Sequence, residues 1–185
     1  MLLLFCVGSG RTIAALRVYS SDEGRFFEPD SQEYINAGRA LLDIGRFAVS
    51  PEQPDIPQFR RTPGYPLFIA GIYRLFGQHH LLVILVQIGV SLLTVACTYA
   101  LAALLWNARL GLLAAIWLCC DLASHINTLQ LLTDTLFTSV LTVALLCGLL
   151  TFRAESPRSS ILFASLFGLL CACASLIRPI AYYLF

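Results

Sequence analysis

Lysine is absent from this chain of 185 residues, and charged residues of any kind are few. All twelve basic residues are arginine, which excludes Schiff-base chemistry on a lysine and leaves planar, permanently charged donors suited to phosphate and carboxylate groups. Charged residues make up 12% of the chain and apolar residues 58%, a balance that excludes an ordinary soluble domain. The composition predicts an all-α integral membrane protein, a multi-span helical bundle.

The sequence also lacks a cysteine pattern that holds a metal or a disulfide. Its seven cysteines lie in apolar runs, and neither Cys119-Cys120 nor Cys171-x-Cys173 has the paired spacing of a zinc or thioredoxin site. We interpret them as small apolar side chains within the bundle, because free cysteine packs like a small hydrophobic residue.

Long apolar runs predict about five membrane helices in a single domain. The first of them, residues 1–19, is a poor span by the criterion of ~20 apolar residues, because Gly8-Ser9-Gly10 and Arg11 interrupt it. The four stronger spans cover residues 79–106, 110–124, 132–152 and 161–177. The chain stops just past the last span, so we interpret it as the N-terminal part of a longer domain.

Short arginine-containing loops predict the orientation of these helices. Arg109, Arg153 and Arg158 lie in two short turns, which the positive-inside rule places in the cytoplasm. Residues 20–78 and 124–133 then lie together on the outer face, and Arg178 joins them there.

The outer loop, residues 20–78, holds eight of the eleven acidic residues and six of the twelve arginines. Asp30-x-x-Glu33 is typical of a capping box that opens a helix ending near Gly45. Three prolines exclude regular helix over residues 48–62, which we expect to form an ordered or mobile loop. The run after Pro63 predicts a helix lying along the membrane surface.

The candidate carboxylates of the outer face are Asp30 and Asp134, and Asp134 lies in the sequence LLTDTLF. Either acid has a purely structural interpretation: Asp30 as a helix N-cap, and Asp134 as an acid in a first helical turn that Thr133 caps. The functional alternative is that Asp30 binds a cation or an acceptor hydroxyl and that Asp134 serves at the edge of a span. Asp121 either faces the bundle interior and pairs with an arginine or His125, or lies high enough to be wet.

Arg60 and Arg61, just before Pro63, are either loop charges that match Glu52 and Asp55 or a clamp for an anionic head group. Arg178 either extends to the interface or joins that clamp.

The order of these pieces resembles a known family. The segments PDSQEYINAGRALL, RTPGYPLFIAGIYRLFG, LLTDTLFTSVL and LIRP, with the spans between them, are similar to the N-terminal half of polytopic glycosyltransferases of the GT-C type. The nearest resemblance is to the protein mannosyltransferase and aminoarabinose lipid A transferase group, the PMT-2 family. It extends over residues 29–179.

The resemblance implies a site as well as a fold. An essential acid precedes a tyrosine-containing surface helix in the family, and Asp30, four residues before Tyr34, matches it. A second acid opens a span in a Thr-Glu-Thr-Leu-Phe sequence, and Asp134 matches it with aspartate for glutamate. The family implies a polyprenyl-phosphate sugar donor, an acceptor glycan, lipid or protein outside the cytoplasmic membrane, and inversion at the anomeric carbon. It also implies a place in the lipid bilayer of the plasma or inner membrane and no nucleic-acid partner.

These observations give a working hypothesis of a membrane glycosyltransferase. Asp30 orients or deprotonates the acceptor, and Asp134 supports it or holds a divalent metal ion, whose participation is left open. Arg60, Arg61 or Arg178 stabilises the departing lipid phosphate. Two alternatives belong to other classes: a transporter or flippase subunit for polyprenyl lipids, which requires polar groups deep within several spans, and a non-catalytic membrane scaffold.

Overall fold

The computed structural model describes residues 2–183, and its fold is a bundle of α-helices, which confirms the predicted fold class. Eight α-helices form within these residues: α1 Leu2–Ser21, α2 Ser31–Asp43, α3 Gly64–Phe76, α4 His80–Leu105, α5 Ala108–Cys120, α6 Leu122–Leu129, α7 Thr133–Arg153 and α8 Pro157–Ile177. Short 3-10 helices cover Glu23–Phe26 and Pro179–Tyr183. Met1, Leu184 and Phe185 of the predicted domain lie outside the described residues.

The proline-containing part of the outer loop is an ordered hairpin. Strand β1, Ala48–Ser50, pairs antiparallel with β2, Gln53–Pro57. Proline lacks a backbone N–H and is therefore confined to edges in a sheet, a condition that a two-stranded hairpin satisfies. Of the two expectations for residues 48–62, the ordered one describes the structure.

Three helices, α4, α7 and α8, are long and apolar enough to cross a membrane, and α5 with α6 gives a fourth candidate. The 20-residue α1 does not meet the same requirement. It packs along α4, where Gly8 lies against Leu92 so closely that a Cβ there would come within 2.9 Å of the leucine side chain.

The predicted span over residues 110–124 differs from the structure. The chain bends by 57° between α5 and α6, and Asp121 lies at the bend with extended backbone angles. Its carboxylate accepts a hydrogen bond of 2.8 Å from the backbone N–H of Ser124 and so caps α6. The aspartate therefore caps the start of a new helix and interrupts the predicted continuous span.

The best-buried core lies at one end of the bundle, where the outer loop meets the spans. Tyr65 and Ile69 of α3, Ile84 of α4, Phe26 and Leu131 are all fully buried there. The backbone N–H of Leu131 donates to the carbonyl of Phe26 at 2.9 Å, which ties the loop before α7 to the start of the outer loop. The outer loop is thus an integral part of the fold.

Away from that end, the helices present large apolar side chains outward. Phe152 is 90% exposed and Trp117 is 82% exposed, and α8 is the least buried of the candidate spans. Aliphatic and aromatic side chains on the outside of a helical bundle suit hydrocarbon rather than water.

Helix α3 forms as predicted after Pro63, and one of its faces is buried against α2 and α8. Its opposite face leaves Leu67 and Leu75 exposed. A helix with one face in the protein and apolar residues on the other is compatible with a place at the membrane surface, which remains a prediction.

Gly64, at the first position of α3, gives a test of this packing. A Cβ on Gly64 would lie 2.7 Å from the carbonyl oxygen of Leu176 and 2.8 Å from the backbone nitrogen of Ile177, at the end of α8. Backbone atoms have little room to move aside, so we expect Gly64→Ala to lower the free energy of unfolding by about 1–3 kcal/mol.

The control is Gly71→Ala in the same helix, because nothing lies within 4 Å of a Cβ at that position. Alanine favours helix over glycine, so this change should be neutral or stabilising by up to about 1 kcal/mol. Thermal unfolding of both variants in detergent, followed by circular dichroism, makes the comparison. Equal melting temperatures for the two variants would contradict the α3–α8 contact.

Candidate functional site

The start of α2 carries two acids that meet one arginine of the outer loop. The Arg61 guanidinium donates to both oxygens of Asp30, at 2.6 and 2.9 Å, and to Oε2 of Glu33 at 2.7 Å. It also lies over the Tyr34 ring, with its central carbon 5.1 Å from the ring centroid. Glu33 and Tyr34 are on α2 and Asp30 directly precedes it, so Arg61 holds the chain before α3 against the start of α2.

The predicted capping box at Asp30 does not form. Asp30 precedes α2, but its side chain makes no hydrogen bond to the backbone of the helix. Its two oxygens accept instead from Arg61, because a forked guanidinium offers two charged donors in the geometry of a carboxylate. The Ser31 hydroxyl accepts the backbone N–H of Glu28 at 2.9 Å in the turn that leads into the helix.

Arg60 and Arg61 are neighbours with different surroundings. Partial burial lowers the pKa of Arg61, but its hydrogen bonds with Asp30 and Glu33 raise it by more, so the pKa lies above the ordinary value for arginine. Arg61 is a permanent cation whose donors are largely occupied. The side chain of Arg60 is 81% exposed and, among the described residues, its one ion pair is with Glu33, at 3.5 Å, which leaves it available to an anion.

Asp134 pairs with Arg178 across the ends of α7 and α8. Nη1 of Arg178 donates to Oδ1 of Asp134 at 2.7 Å, and the Arg178 guanidinium lies 5.9 Å from the centroid of the Phe137 ring. Asp134 lies in the first turn of α7 as predicted. Thr133 does not cap this helix, because it is already its first residue and the preceding Leu132 has no capping side chain.

A short connection joins the two arginine–carboxylate clusters. The hydroxyl of Thr62, next to Arg61, donates to the carbonyl of Ile177, next to Arg178, at 2.7 Å. The structure therefore brings Asp30, Arg61 and Arg178 to the same end of the bundle. Among the described residues, Asp30 and Asp134 make no direct contact, since each is held by its own arginine.

A cavity of about 170 Å³ opens beside Asp134, between α4, the bend at Asp121 and α7. Eight of its ten lining residues are polar, and Asp121 and Asp134 contribute carboxylates from opposite segments of the chain. The lining residues are Ser91, Thr94, Leu118, Asp121, Ala123, Ser124, Asn127, Asp134, Thr135 and Thr138.

Arg11 lies behind this cavity, and the sequence analysis did not count it as a site residue. It is only 3% exposed and donates to the hydroxyl of Ser91 at 2.5 Å and to that of Ser124 at 3.4 Å. Its Nε also donates to Nδ1 of His125 at 3.0 Å. The sequence does contain a signal for this site, namely an arginine inside an apolar helix. Charged side chains within such helices almost always face the protein interior and have partners there.

His125 completes this network at the bend between α5 and α6. Its Nδ1 accepts from Arg11, so its other ring nitrogen carries the proton, and Nε2 donates to the carbonyl of Cys119 at 2.6 Å. That carbonyl lies at the end of α5, where helical partners run out. His125 is therefore the partner of Arg11 and not of Asp121, which caps α6 and is exposed.

The donor set at this end does not form a metal site by itself. Within residues 2–183, no three side chains of the His, Cys, Asp or Glu type come together in a metal-binding group. Asp30 and Asp134 both face guanidinium groups, which compete with a cation for the same oxygens.

The comparison with known families agrees with this architecture. A family model described as dolichyl-phosphate-mannose-protein mannosyltransferase, PMT-2, matches residues 60–185, which include Arg60, Arg61, Asp134 and Arg178 but not Asp30. No curated protein and no solved structure matches the chain. Because the match covers more than half of the chain, it confirms the resemblance seen in the sequence. This chain belongs to the dolichyl-phosphate-mannose-protein mannosyltransferase family and is a membrane glycosyltransferase-like protein.

Proposed function

We propose that this protein transfers a sugar from a polyprenyl-phosphate donor to an acceptor glycan, lipid or protein at the outer face of the cell membrane, with inversion at the anomeric carbon. One observation carries the proposal. Acids and arginines from separate segments of the chain are held at one end of an apolar bundle, in two clusters joined by the bond between Thr62 and Ile177. That end presents both a carboxylate and cations.

Asp30 is the proposed base. Its side chain is about half exposed even though Arg61 holds it, so an acceptor hydroxyl can reach it. As the acceptor oxygen bonds to the anomeric carbon, the bond from that carbon to the phosphate oxygen breaks, and Asp30 takes the acceptor's proton. Arg61 orients the carboxylate for this step, and a fixed orientation is a large part of what a catalytic site supplies.

Arg60 and Arg178 are the proposed ligands of the lipid phosphate. Arg178 uses Nη1 for Asp134, and its remaining nitrogens have no recorded partner among the described residues, while Arg60 is mostly exposed. Negative charge grows on the phosphate as the sugar leaves, so donors placed in advance favour the transition state over the bound substrate. Asp134 supports this arrangement by fixing the guanidinium of Arg178.

The distribution of arginines at the two ends supports a reaction at the outer face. Arg153 donates to the carbonyl of Leu104, which joins the ends of α7 and α4 at the end opposite Asp134. Arg109 is the second residue of α5, and Arg158 is the second residue of α8. Arginines beside short connections favour the cytoplasm, which supports an outward direction for the cluster of acids and arginines.

A transporter of polyprenyl lipids is the second candidate, because polar side chains are buried within several helices. Arg11, Gln87, Ser91 and Ser139 are all nearly inaccessible. Each has a partner within the protein, however, and Arg11 and Gln87 bond to residues of α6 or just after it. Transfer of labelled sugar in detergent, where no gradient exists, distinguishes the transferase from the transporter.

Asp30→Asn in the full-length protein should lower sugar transfer at least about 100-fold, since general bases contribute roughly 10²–10⁴-fold. The measurement is the loss of sugar from a labelled polyprenyl-phosphate donor in membranes. The variant should fold, because Arg61 keeps its hydrogen bond of 2.7 Å to Glu33, and its melting temperature checks this.

The matched control is Asp43→Asn, since Asp43 is an exposed aspartate at the other end of α2. Its transfer rate should stay within about twofold of wild type, as expected for a surface change. If Asp30→Asn transfers as fast as Asp43→Asn, Asp30 is structural and the scaffold or transporter interpretation is favoured.

Arg60→Gln should lower kcat/KM for the donor about tenfold, because one charged hydrogen bond to phosphate contributes roughly 1.5–3 kcal/mol in favourable cases and less at an exposed site. Sugar-free polyprenyl phosphate should also inhibit this variant less strongly. Arg74→Gln is the control, since Arg74 is an exposed arginine on α3. Equal kinetics for the two variants would remove Arg60 from the phosphate site.

A further inference from the structure

The cavity beside Asp134 offers mainly hydrogen-bond acceptors. Four lining residues donate their hydroxyl protons to backbone carbonyls, which leaves only acceptor lone pairs on these oxygens. These four bonds run from Ser91 to Ile88, from Thr94 to Val90, from Thr135 to Asn127 and from Thr138 to Asp134. The Ser91 oxygen also accepts from Arg11, and the Thr94 oxygen also lies within hydrogen-bond distance of the Ser139 hydroxyl.

The two carboxylates add further acceptors. One oxygen of Asp121 accepts from the backbone of Ser124, and one oxygen of Asp134 accepts from Arg178. The second oxygen of each, and the side-chain amide of Asn127, have no hydrogen-bond partner among the described residues. Asn127 thus offers both N–H donors and a free acceptor.

The charges around the cavity are largely balanced. Arg178 pairs with Asp134 on one side, and the buried guanidinium of Arg11 attracts Asp121 on the other. Carboxylates and oxygen lone pairs would repel an anion that enters the cavity. A bare cation would be attracted only weakly, because both carboxylates already have cationic neighbours. A neutral ligand with many O–H donors matches this lining best.

The size of the cavity agrees with that chemistry. A volume of about 170 Å³ corresponds to roughly five or six waters at about 30 Å³ each, enough room for a six-membered sugar ring. We propose that this cavity binds the glycosyl group of a substrate, with Asn127 and Thr138 contacting its hydroxyls. The inference rests on the proposed function for the nature of the ligand.

Asp134 places this sugar site next to the phosphate site. The same carboxylate lines the cavity and holds Arg178, so a glycosyl group in the cavity has the proposed phosphate ligand at its edge. A glycosylated acceptor has the same polyol chemistry as the donor sugar, and the experiment below separates these two sources.

The test measures binding to the full-length protein in nanodiscs with three probes: polyprenyl-phosphate hexose, sugar-free polyprenyl phosphate and a methyl hexoside. Asn127→Leu should weaken binding of the sugar-bearing lipid about tenfold and that of the sugar-free lipid less than twofold, because a neutral hydrogen bond contributes roughly 0.5–1.5 kcal/mol.

Thr138→Val and Thr142→Val form a matched pair, one helical turn apart on α7. Each threonine donates to the carbonyl four residues earlier, but only Thr138 lines the cavity. Thr138→Val should weaken the sugar-bearing lipid about threefold, consistent with the lower end of that range, and Thr142→Val should not. This pair keeps the test decisive if Asn127→Leu fails to fold.

A loss confined to the sugar-bearing lipid supports the cavity as the donor-sugar site, and a loss confined to the methyl hexoside supports it as the acceptor-sugar site. Equal losses for both lipids, or no loss with any probe, overturn it. If Asn127→Leu and Thr138→Val transfer and bind like wild type, the cavity assignment fails while the transferase stands. If wild type binds sugar through Asn127 but transfers none, the transferase fails and the cavity stands.

Discussion

The pairing of arginine with carboxylate holds together the end of the bundle that carries the candidate site. Arg61 fixes the chain before α3 to the first turn of α2, and Arg178 fixes the end of α8 to the first turn of α7. The hydroxyl of Thr62 then joins one pair to the other through the carbonyl of Ile177. Because the same groups form the candidate site, the contacts that assemble the fold also fix the direction of its functional side chains.

Deeper in the bundle, buried polar groups have partners within the protein, as an apolar environment requires. Gln87, fully buried on α4, accepts from the Tyr65 hydroxyl and donates to the carbonyls of Thr128 and Gln130. Burial raises the pKa of Tyr65, so this hydroxyl remains a donor. With the Arg11 network, these bonds join α1, α3 and α4 to the segment around α6. The wall of the cavity is therefore held from both sides, which suits a site that recognises a ligand by shape.

Sequence alone predicted the parts of this structure that depend on composition. The apolar runs gave α4, α7 and α8, because length and hydropathy suffice to identify a span. The capping box at Asp30 failed because its partner, Arg61, lies 31 residues away, and a local pattern does not include such a partner. The bend at Asp121 was missed although Asp121-x-x-Ser124 has the spacing of an N-cap, since the surrounding apolar run favoured a continuous helix. Tertiary contacts alone determine that carboxylates occupy the donors of Arg61 while Arg60 stays largely exposed.

Arg60 and Arg61 show what that distinction means for the reaction. The two are adjacent and chemically identical, but one is held by two carboxylates and the other is largely open to solvent. Under the proposed function, the open cations contact the phosphate and the acceptor-rich cavity contacts the sugar. The donor then engages both regions, whereas the lipid phosphate left after transfer keeps only the first. The lipid phosphate therefore binds more weakly than the donor by the whole contribution of the cavity. This difference between donor and product favours product release.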